Sequence, residues 1–386
     1  MEPVKTINTK VQLPKNSYKK IKDHYEEIHI PAPDPLNDSY PLVQIDELPK
    51  WALRAFPQSE TRTLNRIQSE VFPAAFHNDF NILLCAPTGA GKTNVAMLTI
   101  LRALAHFVDE ETGNVDLSKV KIVYIAPLKA LVQEQVREFG RRLDYLGVKV
   151  VELTGDSNMT RAEIKSAHIL VSTPEKWDVI TRKSSNFKLT STVRLIIIDE
   201  VHLLHDERGP VIESIVSRAA HFKTRLVALS ATLPNYTDVA HFLNVEKGKG
   251  MFFFDSTFRP CPLAQQFVGV SQTSPLKKLQ AMNQACYDKV IESVLDGKHQ
   301  VIVFVHSRKD TAKTANWIVE KLKEEEKELS FLLDQHEASS AVLEKESETV
   351  HDKDLKHLIT HGIGIHHAGL HRTIDHWLKI CLPMVF

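Results

Sequence analysis

A glycine-rich loop between an apolar segment and a predicted helix constrains this fold more than any other feature. The loop comprises Ala86, Pro87, Thr88, Gly89, Ala90, Gly91, Lys92 and Thr93; it follows the apolar run 81–86 and opens a predicted helix over Thr93–Val108. In a phosphate-binding loop the glycines turn backbone N–H groups inward, a Lys reaches the β- and γ-phosphates, and a Thr hydroxyl binds Mg²⁺. In this loop Lys92 is predicted to reach the phosphates, and the Thr93 hydroxyl is predicted to bind Mg²⁺. A chance glycine-rich turn is the alternative, but it would not require the flanking strand and helix.

Further apolar runs alternate with predicted helices along the chain. The runs at 121–126, 167–172, 194–199 and 225–230 are typical of strands buried on both faces of a parallel sheet. Helical patterns such as 130–146 lie between them. This alternation predicts an α/β fold, with a parallel sheet flanked by helices.

An acidic pair follows one of these runs directly. Asp199 and Glu200 end the segment RLIIIDE, and His202 stands two places on. Strand ends on the carboxyl edge of such a sheet face the bound nucleotide. Asp199 is therefore predicted to hold Mg²⁺, and Glu200 to polarise the attacking water. The ordinary alternatives are a solvated acidic pair and a packed or solvated histidine.

Small hydroxyl residues end a later strand. Ser230 and Thr232 flank Ala231 at the end of RLVALS, about 30 residues after the acidic pair. Hydroxyls at this position are predicted to link the Mg²⁺ site to a neighbouring domain by hydrogen bonds. The tripeptide Ser-Ala-Thr alone does not indicate a function. It becomes informative through its position about 30 residues after the acidic pair.

Composition narrows the class of protein. Lys and Arg together number 48, as do Asp and Glu, so the formal net charge is zero and nucleic acid must be bound through a local groove. The four cysteines form no CxxC pair, which argues against a zinc module and favours a reducing compartment. No apolar run reaches the roughly 18 residues of a membrane span, and the N-terminus lacks a signal-peptide core.

Three segments are predicted from proline content and pattern. Residues 1–50 carry many prolines and are predicted to form an extended arm. Residues 51–265 form the first α/β domain. Residues 266–386 form a partial second one, with predicted strands at 300–307 and 363–367. A parallel domain needs several crossover units, so this second domain is expected to be incomplete.

The ordered motifs resemble those of superfamily 2 DExH-box RNA helicases. The shared strings are APTGAGKT, APLKALVQE, LTGD, TPEKWD, DEVH and SATLPNY, and FVHSRKDT and IHHAGL continue the order. HLLHDERGP, FRPCPL and the N-terminal arm are similar to the branch containing the spliceosomal snRNP helicase that unwinds U4/U6 RNA. A paralogue in a transcription-coactivator and repair complex also has a similar cassette.

The resemblance implies two RecA-like domains, the second truncated here, and further site residues. Gln68 is implied to read adenine. The residues implied to contact RNA are Pro127, Lys129, Thr154, Gly155, Thr173, Pro174, His306 and Ser307. Thr154 and Thr173 as helix caps, and Lys129 as an ordinary surface lysine, are the alternatives. The implied cofactors are ATP and Mg²⁺, the implied partners are RNA and spliceosomal snRNP proteins, and the implied location is the nucleus.

The pattern breaks after HHAGL. The family continues with an arginine-containing string and a helix reading like SLVEDLFADG, whereas this chain reads HRTIDHWLKICLPMVF. One possible set of codons for Ile374–Phe386 encodes SLVEDLFADGI in another reading frame. That frame starts two nucleotides in, and its first codon is skipped. We therefore hypothesise a frameshift near Thr373, with a natural divergent tail as the alternative.

The missing motifs change the predicted activity. An arginine finger accelerates phosphoryl transfer by roughly 10³–10⁵. The chain is therefore expected to bind ATP, to hydrolyse it poorly and not to unwind duplexes by itself. The functional hypotheses are an ATP-dependent RNA helicase cassette of pre-mRNA splicing type, and a non-catalytic ATP- or RNA-binding fragment. The ordered motifs argue against a third, a transporter or remodelling ATPase.

Overall fold

The computed structural model divides the chain into two units. It describes residues 13–22, 25–34, 40–56, 62–109, 111–155, 159–183, 187–222, 224–296, 299–326, 345, 350 and 352–367. The large unit is Ala32–Ala264, and the small unit combines Met1–Pro31 with Gln265–Phe386. In the described residues no helix is long and apolar enough to cross a membrane.

The large unit is built on a seven-stranded sheet. Its strands are β3 (Ile82–Cys85), β4 (Ile122–Ile125), β5 (Val150–Leu153), β6 (Ile169–Ser172), β7 (Leu195–Ile198), β8 (Arg225–Ser230) and β9 (Met251–Phe253). They lie in the order β5-β6-β4-β7-β8-β3-β9, and every neighbouring pair is parallel. The predicted parallel α/β sheet is confirmed. The short strands β5 and β9 were not predicted from the sequence.

Helices connect these strands. In the large unit they are α1 (Arg66–Phe72), α2 (Lys92–Ala105), α3 (Lys129–Leu143), α4 (Arg161–Ser166), α5 (Pro174–Arg182), α6 (Phe187–Thr190), α7 (Gly209–Ala219) and α8 (Tyr236–Phe242). A π-helical turn, Pro73–His77, continues α1. Short 3-10 turns lie at Ile45–Glu47, Leu53–Ala55, Leu117–Lys119, Asp144–Leu146, Val201–His205 and Ser256–Phe258.

Alternate residues of each strand pack into two separate cores. Leu84 and Tyr124 lie in one core, which α2 and α3 cover, and Leu83 and Ile125 lie in the other. The second core includes Trp177 from α5 and residues of α7. Burial on both faces explains why these strands read as continuous apolar runs rather than as alternating ones.

The register brings the carboxyl ends of the strands to one edge. Cys85 pairs with Ser230, Ile125 pairs with both Ile198 and Ser172, and Ser172 pairs with Leu153. Because parallel strands end together, the loops that follow them emerge side by side. This edge is where doubly wound sheets bind ligands.

The small unit contains an antiparallel sheet. Strands β1 (Tyr18–Ile21) and β2 (Glu26–Ile30) form a hairpin, and β2 also pairs with β10 (Gln265–Gly269). Its helices are α9 (Pro275–Ile291), α10 (Arg308–Glu324) and α11 (Lys353–Ile359), and a π-helical turn covers Glu292–Asp296. The Tyr25 hydroxyl donates to Asp288 Oδ2 at 2.6 Å, which ties the arm to α9.

The predicted strands of the second domain are wrong where the structure describes them. Residues 300–305 and 363–367 have no strand assignment. Side chains of the first segment are open to solvent, with Ile302 80% and Phe304 92% exposed. The segment has the apolar pattern of a strand, but a strand requires a partner, and within the described part of the small unit only β1, β2 and β10 pair.

Candidate functional site

The glycine-rich loop joins β3 to α2 at the carboxyl edge of the large-unit sheet. Gly89 and Gly91 have φ values of +81° and +80°, a region that glycine adopts without steric cost. The Lys92 ammonium donates to the carbonyls of Ala86 at 3.1 Å and Pro87 at 3.3 Å. Lys92 is therefore folded back over the loop that precedes it.

Asn65 and Gln68 hold this loop from the side. They form a capping box at the start of α1, in which each side chain accepts from the other residue's backbone N–H, at 2.9 and 3.0 Å. Their amide nitrogens donate onward to the carbonyls of Ala90 at 3.0 Å and Gly91 at 3.2 Å. A Cβ on Gly91 would lie 2.3 Å from Gln68 Nε2, so Gln68 keeps this position beside the loop only while residue 91 is glycine.

The acidic pair lies at the end of β7, two strands from the loop. Asp199 Oδ2 accepts from the Tyr124 hydroxyl at 2.7 Å, and Oδ1 accepts from the Glu200 backbone N–H at 3.0 Å. Glu200 has a φ of +53°, which costs a non-glycine residue of the order of 1 kcal/mol and is a feature of functional sites. Backbone strain thus sets the direction in which Glu200 leaves the strand.

Burial shapes the charges at this edge. It raises the pKa of Asp199; the Glu200 charge adds to the rise, and hydrogen bonds from Tyr124 and the Glu200 N–H oppose it. Burial lowers the pKa of Lys92, while the charges of Glu200 and Asp199 act in the opposite direction. The lysine and the two carboxylates therefore interact electrostatically across the site.

His202 connects the acidic pair to the end of β8. Its Nδ1 lies 3.3 Å from the Ala231 backbone N–H, which donates to it, and 3.2 Å from Glu200 Oε2. One ring nitrogen cannot accept from Ala231 and donate to Glu200 at the same time. His202 Nδ1 therefore binds one of these two neighbours at a time. Ser230 is fully buried and Thr232 is exposed.

The loops predicted to contact RNA emerge at the same edge. Pro127 is buried after β4, and Lys129 begins α3 in an exposed position. Thr154 is buried after β5, where its hydroxyl donates to Glu152 Oε1 at 2.8 Å, and Gly155 is exposed. The remaining two residues are Thr173, at the N-cap of α5 with no side-chain cap bond, and Pro174, its first residue.

The last two predicted RNA contacts belong to the small unit. Ser307 is the N-cap of α10, where its Oγ accepts from the Asp310 N–H at 3.2 Å and its hydroxyl donates to Asp310 Oδ2 at 2.7 Å. This geometry gives Ser307 a capping role of its own. His306 directly precedes it and is exposed.

Three residues of this edge were missed by the sequence reading. Asn65 had a readable signal, because Asn followed three places later by Gln is a capping-box pattern. Tyr124 is the one residue with a polar tip in the strand Ile122–Ile125, and a buried tyrosine hydroxyl needs a partner. Arg208 donates to the Pro127 carbonyl and lies 3.3 Å from Glu175, a tertiary contact without a local sequence signal.

The residues fit a magnesium ion that is shared with phosphates. Among the described residues no group of three or more His, Cys, Asp or Glu side chains could hold a metal ion by itself. Mg²⁺ commonly takes one or two carboxylates, waters and substrate phosphates instead of a full protein cage. Asp199 and the Thr93 hydroxyl are oxygen donors of the type this ion prefers.

Comparison with known proteins places the motifs in a family. The DEAD/DEAH box helicase family profile matches residues 65–239. The chain is 53% identical over 373 residues to the pre-mRNA-splicing factor brr2 of Schizosaccharomyces pombe. It is 47% identical over 374 residues to the human U5 small nuclear ribonucleoprotein 200 kDa helicase. Each alignment covers 95% of this chain, which spans 17% of the length of either relative.

A solved structure confirms the fold. The DUF1998 helicase MrfA bound to DNA aligns with 80% of this chain and 42% of its own, with a TM-score of 0.54 and 22% sequence identity. At this identity the likeness concerns architecture alone. Residues 65–239 thus match a DEAD/DEAH box helicase domain, and the chain is similar over most of its length to a segment of two much longer proteins whose names refer to pre-mRNA splicing and to the U5 small nuclear ribonucleoprotein.

Proposed function

We propose that this chain is a segment of an ATP-dependent RNA helicase cassette of the pre-mRNA splicing type. The observation that carries the proposal is the common register of the strand ends. Cys85, Ile198 and Ser230 bring the glycine-rich loop, the acidic pair and the hydroxyl residues to one edge. The loops after β4, β5 and β6 emerge along that edge as well. Nucleotide and RNA contacts can therefore communicate through a single rigid sheet.

Each residue at the nucleotide site has a defined task in this proposal. The backbone N–H groups of residues 88–93 and the N-terminus of α2 bind phosphates, and Lys92 leaves its two carbonyls to pair with them. Gln68 releases the carbonyl of Gly91 and binds the polar edge of adenine instead. Asp199 and Thr93 would hold Mg²⁺, which would supply positive charge to stabilise the negative charge of the phosphates. Glu200 orients the attacking water.

Coupling to the strand end of β8 depends on His202. With Nδ1 accepting from Ala231, the imidazole holds the segment Ser230–Thr232 in place. A shift of the ring toward Glu200 releases that segment. Nucleotide-dependent movement of Glu200 is thereby transmitted to Thr232, which lies exposed at the edge.

The alternative, a non-catalytic ATP- or RNA-binding fragment, is favoured by one structural feature. The described part of the small unit holds only the antiparallel sheet β1-β2-β10 and has no parallel sheet to match that of the large unit. We propose the division into an arm over 1–50, an ATP-binding domain over 51–265 and a partial second domain over 266–386. Poor hydrolysis is the expected consequence, since the described residues of this domain form no parallel sheet.

The remaining assignments rest on the relatives. Their printed names refer to pre-mRNA splicing and to the U5 small nuclear ribonucleoprotein. For this chain we propose RNA and spliceosomal proteins as partners and a nuclear location. The two relatives are much longer than this chain, so the proposed partners and location are those of the cassette within a larger assembly.

RNA-stimulated ATP turnover by the 386-residue chain tests the proposal. The variants are Lys92→Ala and, as a matched lysine control, Lys119→Ala, whose side chain is 66% exposed and pairs with Asp116. The assignment of the nucleotide site is supported if Lys92→Ala weakens nucleotide binding and Lys119→Ala preserves it. Turnover that depends on Lys92 would show that the partial second domain suffices for hydrolysis. Equal nucleotide binding by all three proteins would refute the assignment.

A further inference from the structure

Arg208 connects two neighbouring loops at the edge proposed to contact RNA. Its Nη1 donates to the carbonyl of Pro127, in the loop between β4 and α3. Its Nε lies 3.3 Å from Glu175 Oε1, in the first turn of α5. The planar guanidinium therefore reaches both loops at once, one through a backbone carbonyl and the other through a carboxylate.

A tight turn fixes the origin of the Arg208 side chain. The backbone carbonyl of Asp206 accepts from the Gly209 N–H at 2.9 Å. A Cβ on Gly209 would lie 2.2 Å from the Leu204 carbonyl oxygen. Only glycine fits this close approach. The Arg208 carbonyl in turn accepts from the N–H groups of Val211 and Ile212, both at 3.1 Å, in the first turn of α7. The guanidinium thus projects from a rigid base.

The two loops carry residues proposed to bind RNA. Pro127 lies in the first, which ends where Lys129 begins α3. Thr173 ends the second, and Pro174 and Glu175 follow it in the first turn of α5. Each loop follows its own strand, and β4 and β6 are neighbours. Adjacent contacts along an RNA backbone require a fixed spacing between such loops, because the phosphates that they bind are regularly spaced.

We propose that Arg208 is a positioning residue that sets the spacing of the loop after β4 and the loop after β6 for a single-stranded RNA backbone. The inference rests on the proposed function, because it assumes that this edge binds RNA. Arg208 acts through the segments that it joins, since its guanidinium is engaged with a protein acceptor in each of them. A lysine has no planar fork and cannot hold both acceptors in this geometry.

The test measures the affinity of a fluorescent single-stranded RNA for the full chain, by anisotropy at several salt concentrations. Arg208→Ala and Arg208→Lys are each expected to weaken RNA binding about tenfold, the loss typical of a charge-assisted hydrogen bond. The salt dependence is expected to keep its slope, because the number of phosphate contacts does not change. Binding of a fluorescent ATP analogue is expected to stay at the wild-type level.

Glu175 provides an internal check. Glu175→Ala is expected to weaken RNA binding, and adding it to Arg208→Ala is expected to cost little more, because the two residues share one contact. Glu175→Gln keeps an acceptor oxygen and is expected to lose less. Lys249→Ala removes an equal charge just before β9, at the opposite edge of the sheet, and serves as the control.

Each contrary outcome has a distinct meaning. Full recovery with Arg208→Lys, or wild-type affinity with Arg208→Ala, would overturn the positioning role. A salt slope reduced by about 0.7 would show that Arg208 binds a phosphate directly, and that too would overturn it. Absence of RNA binding by the wild-type chain would remove the proposed RNA edge and this inference with it, while ATP-analogue binding would still report on the nucleotide site.

Discussion

The Tyr124 hydroxyl donates a hydrogen bond to the Asp199 carboxylate across the ends of two neighbouring strands. The oxygens are 2.7 Å apart, and Tyr124 is completely buried. Tyr124 pairs with Ile197 in the sheet register, two residues before Asp199. A core side chain thus sets the orientation of the acid proposed to hold Mg²⁺, which links packing of the sheet directly to the chemistry at its edge.

Removing this hydroxyl is expected to weaken metal-dependent nucleotide binding. In Tyr124→Phe one carboxylate oxygen loses its donor, so Asp199 is less well oriented and the free energy of unfolding falls by about 1–2 kcal/mol. We expect the Mg²⁺ concentration that supports half-maximal ATP-analogue binding to rise several-fold. A Mg²⁺ titration and a urea melt measure the two effects separately.

Tyr145→Phe is the matched control for this substitution. The Tyr145 hydroxyl also donates a hydrogen bond of 2.7 Å, but to the carbonyl of Trp51, away from the acidic pair. It is expected to lose similar stability and to keep the wild-type Mg²⁺ dependence. An equal Mg²⁺ shift in both variants would indicate that general destabilisation, not Asp199 orientation, is responsible.

Gly91→Ala is expected to damage the nucleotide site more than Gly89→Ala. Both positions have positive φ, so each substitution strains the backbone by about 1 kcal/mol. A Cβ at residue 91 would also lie 2.3 Å from Gln68 Nε2, whereas one at residue 89 meets nothing within 4 Å. To relieve this contact the Gln68 side chain must leave the Gly91 carbonyl, and the lost hydrogen bond adds about 0.5–1.5 kcal/mol. Urea melts and ATP-analogue titrations of the two variants give the comparison.

A second substitution tests the cause of that difference. Gln68→Ala removes the atom that the new methyl group meets, so Gly91→Ala should destabilise a Gln68→Ala background by less than it destabilises the wild type. If the cost is the same in both backgrounds, the contact between Gln68 and the loop does not explain the requirement for glycine.

Asp79 is expected to make stability depend on acid pH. The Arg102 guanidinium and His106 lower the pKa of Asp79 from 3.8 to about 2. A carboxyl with a depressed folded-state pKa stabilises the fold above its unfolded pKa, and this contribution is lost as the pH falls from about 4 to about 2. Because Asp79 is 47% exposed, we expect Asp79→Asn to cost only about 1 kcal/mol at pH 7.

Urea unfolding at pH 7, 5 and 3 checks this expectation. The difference between wild type and Asp79→Asn should be constant from pH 7 to 5 and should shrink at pH 3. Arg102→Gln should remove most of the pH-dependent difference, because it removes the largest cause of the lowered pKa. A difference that grows toward acid would have the wrong sign for this mechanism.

The apolar segment Val301–Phe304 is expected to promote self-association. Its exposed fractions are 38%, 80%, 40% and 92% in chain order, and exposed strand-forming runs pair with other chains. Ile302→Lys should keep the protein monomeric to a higher concentration, as measured by light scattering. Leu276→Lys replaces another exposed apolar residue, 66% exposed at the start of α9, and should have little effect.

Local sequence signals determined the architecture of the large unit. Strands buried on both faces must be apolar throughout, and so β3, β4, β6, β7 and β8 were visible as runs. The glycine-rich loop was visible because its conformation demands glycine and its chemistry demands Lys92 and Thr93. For the same reason Asp199, Glu200, His202 and Ser230 could be named before their positions were known.

Only the tertiary structure decided how those residues are held. The bonds from Tyr124 to Asp199, from Gln68 to Gly91, from Ala231 to His202 and from Arg208 to Pro127 join segments 23 to 81 residues apart. Such contacts depend on strand order and register, which a local pattern does not contain. The run at 300–307 shows the converse: its residues suit a strand, but a strand exists only where a neighbouring chain segment completes its hydrogen bonds.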